Sequence, residues 1–165
     1  METSEERKSG VTTKTGSFAR VSVGRLVEVR VLRLGNLMDV ESLAAAVFDA
    51  VQRAGSEAVI YSDCRGATPL TGEVANALSQ AMRQANGSIA RSGILLDSSN
   101  TMFNLQVERI VHCAGNEQRR LFTDADELRD WLDGTVTETE RAVLRTLLLV
   151  GEAGPSFGRR RGSAL

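Results

Sequence analysis

The chain has 165 residues, 42% of them hydrophobic and 25% charged, which predicts one domain with a substantial core and short tails. Its formal net charge of −1 excludes a domain-wide positive field for nucleic acid or an anionic membrane. Two cysteines and one histidine support neither a disulfide framework nor a metal site. No catalytic signature or cofactor motif is present, so we expect a protein that is not an enzyme.

Both ends of the chain are polar. Residues 1–15 are rich in Glu, Ser, Thr and Lys and predict a disordered arm. Residues 151–165, rich in Gly and with three consecutive arginines, predict a flexible basic tail. The sequence shows no apolar core of a signal peptide and no run of about 18 apolar residues that could span a bilayer. These features predict a cytoplasmic location without membrane insertion.

The ordered part begins with two β-like segments, residues 18–23 and 26–34, separated by Gly24 and Arg25. The second segment alternates valines with charged residues, the pattern of a strand with one buried and one wet face. The two segments predict a hairpin. A helix follows, with Asp39 as its predicted N-cap and Gly55 at its end.

Residues 58–64 are the segment around which the other elements are arranged. The segment is apolar and β-forming and then becomes polar at Asp63, which is typical of a buried strand that reaches the edge of an α/β sheet. A helix capped by Thr71 follows, with inward positions expected at Val74, Leu78, Ala81, Met82 and Ala85. Strand and helix therefore form a βα unit.

The same alternation continues to the end of the domain. Strands are predicted within residues 88–97 and 118–122, with a helix between them that ends at Gly115. Asp124 with Glu127, and Thr137 with Glu140, have the capping-box spacing of two further helices. The order predicts an α/β fold, a mixed sheet of about five strands with helices mainly on one face, plus an extra C-terminal helix at residues 135–150.

The end of the domain carries a family resemblance. The strand order, the polar exit at Asp63 and the residues of the last strand and helix resemble the STAS and SpoIIAA-like superfamily over residues 16–134. The matching positions of the closing motif are Arg120, Phe122, Asp124, Glu127, Trp131 and Leu132. We also expect Trp131 to be a core anchor, because it lies beside Leu128 and Leu132 on one helical face.

The resemblance implies a non-enzymatic regulatory module that binds a protein partner, such as a kinase or another signalling protein, and in some members a nucleotide or lipid. Regulated members carry a phosphorylatable serine in an Asp-Ser-Ser-Gly segment at the start of the second helix. This chain lacks the serine pair there. Thr71 is the nearest mimic, whereas counting forward from Asp63 places Glu73 at the phosphorylated position.

Polar side chains follow two neighbouring strands, at the edge where open α/β sheets place ligands and partners. The candidate residues of this rim are Asp63, Arg65, Thr68, Thr71, Glu73, Asp97, Ser98 and Ser99. They predict either a small polar pocket or local caps and turns. Cys64 is expected to be a small buried residue more readily than a reactive thiol.

The C-terminal helix is more apolar than an appended helix needs to be. Leu144, Leu147 and Leu148 therefore predict either an interface, in a homodimer or with another partner, or a helix that folds back onto the domain. Two functions remain open: an interaction module that binds through the rim and adjoining helices, and a small-ligand or lipid-binding protein with its pocket at the strand ends. A deep apolar cleft would favour the second.

Overall fold

The computed structural model describes residues 14–152. They form an α/β fold with a five-stranded mixed sheet and five helices, which confirms the predicted fold class. The predicted arm and tail lie almost entirely outside the described residues. The strands are β1 (Phe18–Val23), β2 (Leu26–Arg30), β3 (Ala58–Asp63), β4 (Ile89–Leu95) and β5 (Arg119–Phe122). The helices are α1 (Leu37–Ala54), α2 (Gly72–Ala85), α3 (Thr101–Ala114), α4 (Ala125–Asp133) and α5 (Glu138–Glu152).

The strands lie in the sheet in chain order, from β1 to β5. β1 and β2 form the predicted antiparallel hairpin, and its turn places Gly24 at φ +52, a left-handed conformation that favours glycine. The remaining neighbours are parallel. Because parallel crossovers are right-handed and the order advances in one direction, α1, α2 and α3 must share one face of the sheet. Their side chains meet there in one core cluster.

The opposite face is covered by α4 and α5. Leu26, Tyr61 and Leu95 of the sheet pack there against Leu128 of α4 and Leu144 of α5, in a second core cluster. Three helices thus lie on one face, as expected, and two lie on the other. The face of β2 that was predicted to contact solvent is therefore buried under these helices. Glu28, on this face, is buried and accepts a hydrogen bond from Arg20 at 2.8 Å.

Most helix ends are those that the sequence predicts, with one correction. The Thr71 and Asp124 side chains cap α2 and α4, and α1 ends at Gly55. The N-cap of α1, however, is Asn36 and not Asp39. The Asn36 Oδ1 accepts from Asp39 N at 3.0 Å, while the Asp39 carboxylate accepts from Gly35 N at 2.8 Å. Both side chains could accept from the first backbone N–H groups of this helix, but the helix begins directly after Asn36, so Asn36 is the cap.

The start of α5 is fixed by the predicted capping box. Glu140 Oε2 accepts from Thr137 N at 2.8 Å, and the Thr137 hydroxyl accepts from Glu140 N at 3.3 Å. Glu140 Oε1 also accepts from Arg25 N in the β1–β2 turn at 2.7 Å, and Glu140 is only 2% exposed. One buried carboxylate therefore joins the first hairpin to the last helix.

α5 folds back onto the domain, which is the second of the two alternatives that the sequence left open for this helix. Leu144 and Leu148 are buried in the second core cluster, and Leu147 is half-buried beside it. Their apolar surface is used within the chain because β2 and β3 would otherwise have one uncovered face. The exposed apolar side chains of α5 are instead Leu149 and Val150.

Trp131 is half-buried, whereas its neighbours Leu128 and Leu132 are fully buried. The expected core anchor is thus at the margin of the second cluster. Its ring lies between two guanidinium groups, with Arg91 at 4.1 Å and Arg120 at 3.9 Å from the ring centroid. Arg91 also donates to the Trp131 carbonyl at 2.7 Å. The tryptophan joins α4 to β4 and β5 by packing and by cation–π contacts.

Candidate functional site

Asp63 and Arg65, at the predicted rim, form an ion pair, and the Arg30 guanidinium lies 3.8 Å from the same carboxylate. Asp63 accepts three hydrogen bonds from Arg65, from its backbone N at 3.0 Å, Nε at 3.1 Å and Nη2 at 3.0 Å. The Arg65 guanidinium donates again to the Leu148 carbonyl at 3.4 Å, and a side chain at Gly151 would overlap it. Because the end of α5 covers the pair, these two residues hold α5 against the sheet.

The other rim residues lie at the same edge but do not form a pocket with this pair. Thr68, Thr71, Glu73, Ser98 and Ser99 are exposed. Thr71 is occupied as the cap of α2, where its hydroxyl accepts from Val74 N at 3.3 Å.

Asp97 accepts from Ser99 N at 2.8 Å and Ser99 Oγ at 2.6 Å, and these bonds hold the pKa of Asp97 below its ordinary value. Asp97 therefore shapes a local turn. Of the two predictions made for the rim residues, local caps and turns describe the structure better than a small polar pocket does.

Cys64 is a buried, unreactive thiol, as expected. It faces the first core cluster, and burial raises its pKa to about 12. Metal binding finds no support among residues 14–152, where no group of three or more His, Cys, Asp and Glu side chains could hold an ion. Among the same residues, each helix is too short or too polar to span a bilayer.

A deep apolar cleft lies elsewhere, between the sheet and helices α1 and α2. Its volume is about 250 Å³. Ser62, Ser92 and Ile94 are on its floor, and Val47 of α1 and Met82 of α2 are on its walls. The cleft thus extends under the helices over the middle of the sheet, and not across the rim.

Small side chains explain why this space is not filled. Ala44 on α1, Ala81 and Ala85 on α2, and Ser62 and Ser92 on the strands all line the cleft. Facing layers of alanine and serine leave room between helix and sheet that leucine or phenylalanine would occupy.

The residues predicted to face inward on α2 do face the sheet, but they are not fully packed against it. Val74 is the buried residue of α2, while Leu78, Ala81, Met82 and Ala85 remain half-buried along the cleft. On α1, Phe48 lines the cleft and is 67% exposed. The apolar surface of the cleft is therefore partly open to solvent.

Arg119 is a candidate site residue that was not predicted from the sequence. It begins β5, is 6% exposed, and lines the cleft. Its Nη1 donates to Asn86 Oδ1 at 3.0 Å and its Nη2 to the Met82 carbonyl at 3.3 Å. A signal was present, because side chains alternate along a strand and Arg119 must face the same way as the inward Leu121.

Comparisons of the chain with protein-family models, with curated proteins and with solved structures find no match. The candidate site is therefore argued from the geometry of the cleft.

Proposed function

We propose that this protein binds a small, largely apolar ligand in the cleft between α1, α2 and the sheet. The observation that carries the proposal is the cleft itself, which has a volume of about 250 Å³ and a mainly aliphatic lining. Ligand sites are typically concave, mostly apolar and equipped with a few polar groups. An engineered cavity of about 150 Å³ already holds benzene, so this volume suits a ligand of about ten non-hydrogen atoms.

The chemistry of the lining supports binding without catalysis. Among the described residues that line the cleft there is no Asp, Glu, His or Lys. The polar groups are hydroxyls, the Gln84 amide, a buried thiol whose pKa is raised to about 12, and one guanidinium. General acid–base catalysis needs a group that titrates near the working pH, and this lining supplies none. The role we propose is therefore non-enzymatic.

Two adjacent alanines of α1 provide a matched test. Ala44 lines the cleft, whereas Ala45 is exposed on the outer side of the same helix. The neutral fluorophore 1-aminonaphthalene, whose size matches the cleft, should bind the full chain at one site with an increase in emission. Ala44→Phe should weaken this binding by about tenfold or more because the new ring fills the cleft. Ala45→Phe should leave it unchanged.

Circular dichroism of both variants checks that each is folded. Absence of saturable fluorophore binding to the wild-type chain would refute the proposed function. Equal binding by the Ala44→Phe and wild-type proteins would show that the fluorophore uses another site, and would also count against the cleft.

A second candidate is the STAS-like interaction module. Four apolar side chains in the first two turns of α1 and α3, next to the rim, are exposed: Leu37, Met38, Met102 and Leu105. Such exposed apolar groups support a contact with a protein partner, for instance a kinase or another signalling protein. The same surface could pair two copies of this chain.

The partner surface can be tested by comparative affinity capture with mass spectrometry. A protein retained by the wild-type chain and by Cys113→Glu, but lost with Met38→Glu combined with Met102→Glu, would support this candidate. Cys113 is a suitable control because it is exposed and lies at the C-terminal end of α3, at the opposite edge of the sheet from the rim. Equal capture by all three proteins would refute a partner site at the rim.

A further inference from the structure

Among the described residues that line the cleft, Arg119 alone carries a charge. It is 6% exposed, and no carboxylate of the described residues lies within ion-pair distance of it. Burial lowers its pKa, with no acidic group acting in the other direction. Arginine stays protonated in proteins, so the cleft contains a positive charge that the described residues do not neutralise.

The neutral hydrogen-bond acceptors around Arg119 use only some of the N–H donors of its guanidinium group. A guanidinium has five N–H donors. Asn86 Oδ1 and the Met82 carbonyl accept from two of them. These bonds fix the side chain between α2 and β5, because Asn86 in turn donates to the Ala114 and Gly115 carbonyls at 2.8 Å. Arg119 is thus positioned as well as buried.

A second polar group lies next to Arg119 at the same end of the cleft. Ser92 on β4 pairs in register with Arg119 on β5, and both side chains line the cleft. Ser92 pairs in register with Ile60 on β3, and Ile60, Ser62 and Cys64 all line the cleft. The lining therefore runs along the chain from Ile60 to Cys64, a distance of four residues. At about 3.3 Å per residue this is about 13 Å, the length of an extended chain of about ten carbons.

We propose that the cleft binds a straight-chain carboxylic acid of about ten carbons, with its carboxylate on Arg119 and Ser92 and its alkyl chain over Ser62 towards Cys64. This proposal rests on the proposed function and names its ligand class. A carboxylate accepts hydrogen bonds from a guanidinium in a fork geometry and supplies the missing negative charge. The alkyl chain contacts the apolar walls that α1 and α2 leave incompletely packed.

Three ten-carbon ligands that differ only in the head group test this inference on the full chain. Decanoate, decan-1-ol and decylammonium are titrated by isothermal calorimetry at neutral pH. Decanoate should bind about tenfold or more tightly than the alcohol, because a hydrogen-bonded charge pair forms in a site shielded from water. Decylammonium should bind most weakly, because it places a second positive charge beside Arg119.

The outcomes separate this inference from the proposed function. Equal affinity for decanoate and decan-1-ol would overturn the carboxylate inference and leave the apolar cleft intact. If no ten-carbon ligand binds while the neutral fluorophore binds in the Ala44-sensitive manner, the ligand class is wrong but the site is right. A decanoate affinity that falls as protein concentration rises would assign the cleft to a second copy of the chain, and would also overturn the inference.

Substitutions at Arg119 give an independent readout. Arg119→Met should remove the preference for decanoate over decan-1-ol, whereas Arg119→Lys, which keeps the charge, should retain part of it. If Arg119→Met still preferred decanoate over decan-1-ol as strongly as the wild-type chain does, the carboxylate would not bind at Arg119, and this assignment would be overturned. Because Arg119 also holds α2, the ligand series on the wild-type chain keeps the inference falsifiable if this variant does not fold.

Discussion

Glu140 should be among the most important single side chains for the stability of this fold. Its carboxylate accepts from Thr137 N at 2.8 Å and from Arg25 N at 2.7 Å, and its side chain is 3% exposed. Hydrogen bonds to a charged group contribute about 1.5–3 kcal/mol each. Taking the lower value for both bonds, Glu140→Ala should reduce the free energy of unfolding by about 3 kcal/mol.

For a chain of this size, 1 kcal/mol shifts the unfolding midpoint by about 2–4 °C, so Glu140→Ala should lower it by about 6–12 °C. Glu140→Gln keeps one acceptor oxygen and should lose about half as much. The assay is thermal unfolding followed by circular dichroism.

Glu138→Ala is the matched control on the same turn. Glu138 is exposed and pairs with Arg141 at the surface, an arrangement that contributes little to stability. If Glu140→Ala lowers the midpoint no more than Glu138→Ala does, the carboxylate does not join the hairpin to α5 in the way argued above.

The contribution of Glu140 should also depend on pH. Burial acts to raise its pKa, but the bonds from Thr137 and Arg25 outweigh burial and hold the pKa below the ordinary value of 4.5. A carboxylate with a lowered folded-state pKa stabilises the fold above its unfolded-state pKa and loses that effect as the pH falls through the folded-state value. The stability difference between the wild-type chain and Glu140→Gln should therefore be constant near neutral pH and shrink below about pH 4.5. A difference that grows on acidification would contradict this reasoning.

Three further predictions concern the two core clusters. Thiol titration with Ellman's reagent should detect the exposed Cys113 in the native chain and Cys64 only after denaturation, because Cys64 is buried and its pKa is raised to about 12; rapid reaction of both would refute its burial. Gly93→Ala should cost about 1–3 kcal/mol in guanidinium unfolding, because a Cβ there would lie 3.0 Å from Leu128 Cγ; an unchanged midpoint would mean that α4 does not approach β4 so closely. Trp131→Ala should cost less than the about 3–5 kcal/mol typical of truncating a fully buried aromatic to alanine, because the ring is only half-buried and about 1–2 kcal/mol of the loss comes from its two cation–π contacts; unfolding or a loss of about 5 kcal/mol would restore its predicted role as a core anchor.

The local features of the fold could be predicted because each depends on residues that are close in sequence. The capping pair of Thr137 and Glu140 and the helix end at Gly55 are set by a few neighbouring backbone groups. The parallel order followed from the alternation of strands and helices. Where two nearby side chains could perform one task, as Asn36 and Asp39 could at the start of α1, the sequence pattern did not discriminate between them.

The site was harder to predict because it depends on what packs against each residue in three dimensions. Asp63 and Arg65 have the expected position at the end of β3, but the sequence does not show that α5 ends over them. The cleft results from small residues that are distant in sequence and face one another, such as Ala44 and Ser92. The sequence placed Arg119 only in the last strand, and it did not show that Arg119 lines the cleft while the next residue, Arg120, contacts Trp131 on the opposite face of the sheet.

The two faces of the sheet differ in how completely they are packed. On one face, large side chains such as Tyr61 and Leu144 close the space beneath α4 and α5, and Glu140 and the Asp63–Arg65 pair fix α5 in place. On the other face, α2 contributes one fully buried side chain, Val74, and the space beside it stays open. A cleft that is open on one side leaves apolar walls without partner atoms, which is unfavourable unless something else occupies it. The closed face can bear that cost because its own packing does not depend on α2, and this independence would allow the open face to hold the ligand proposed above.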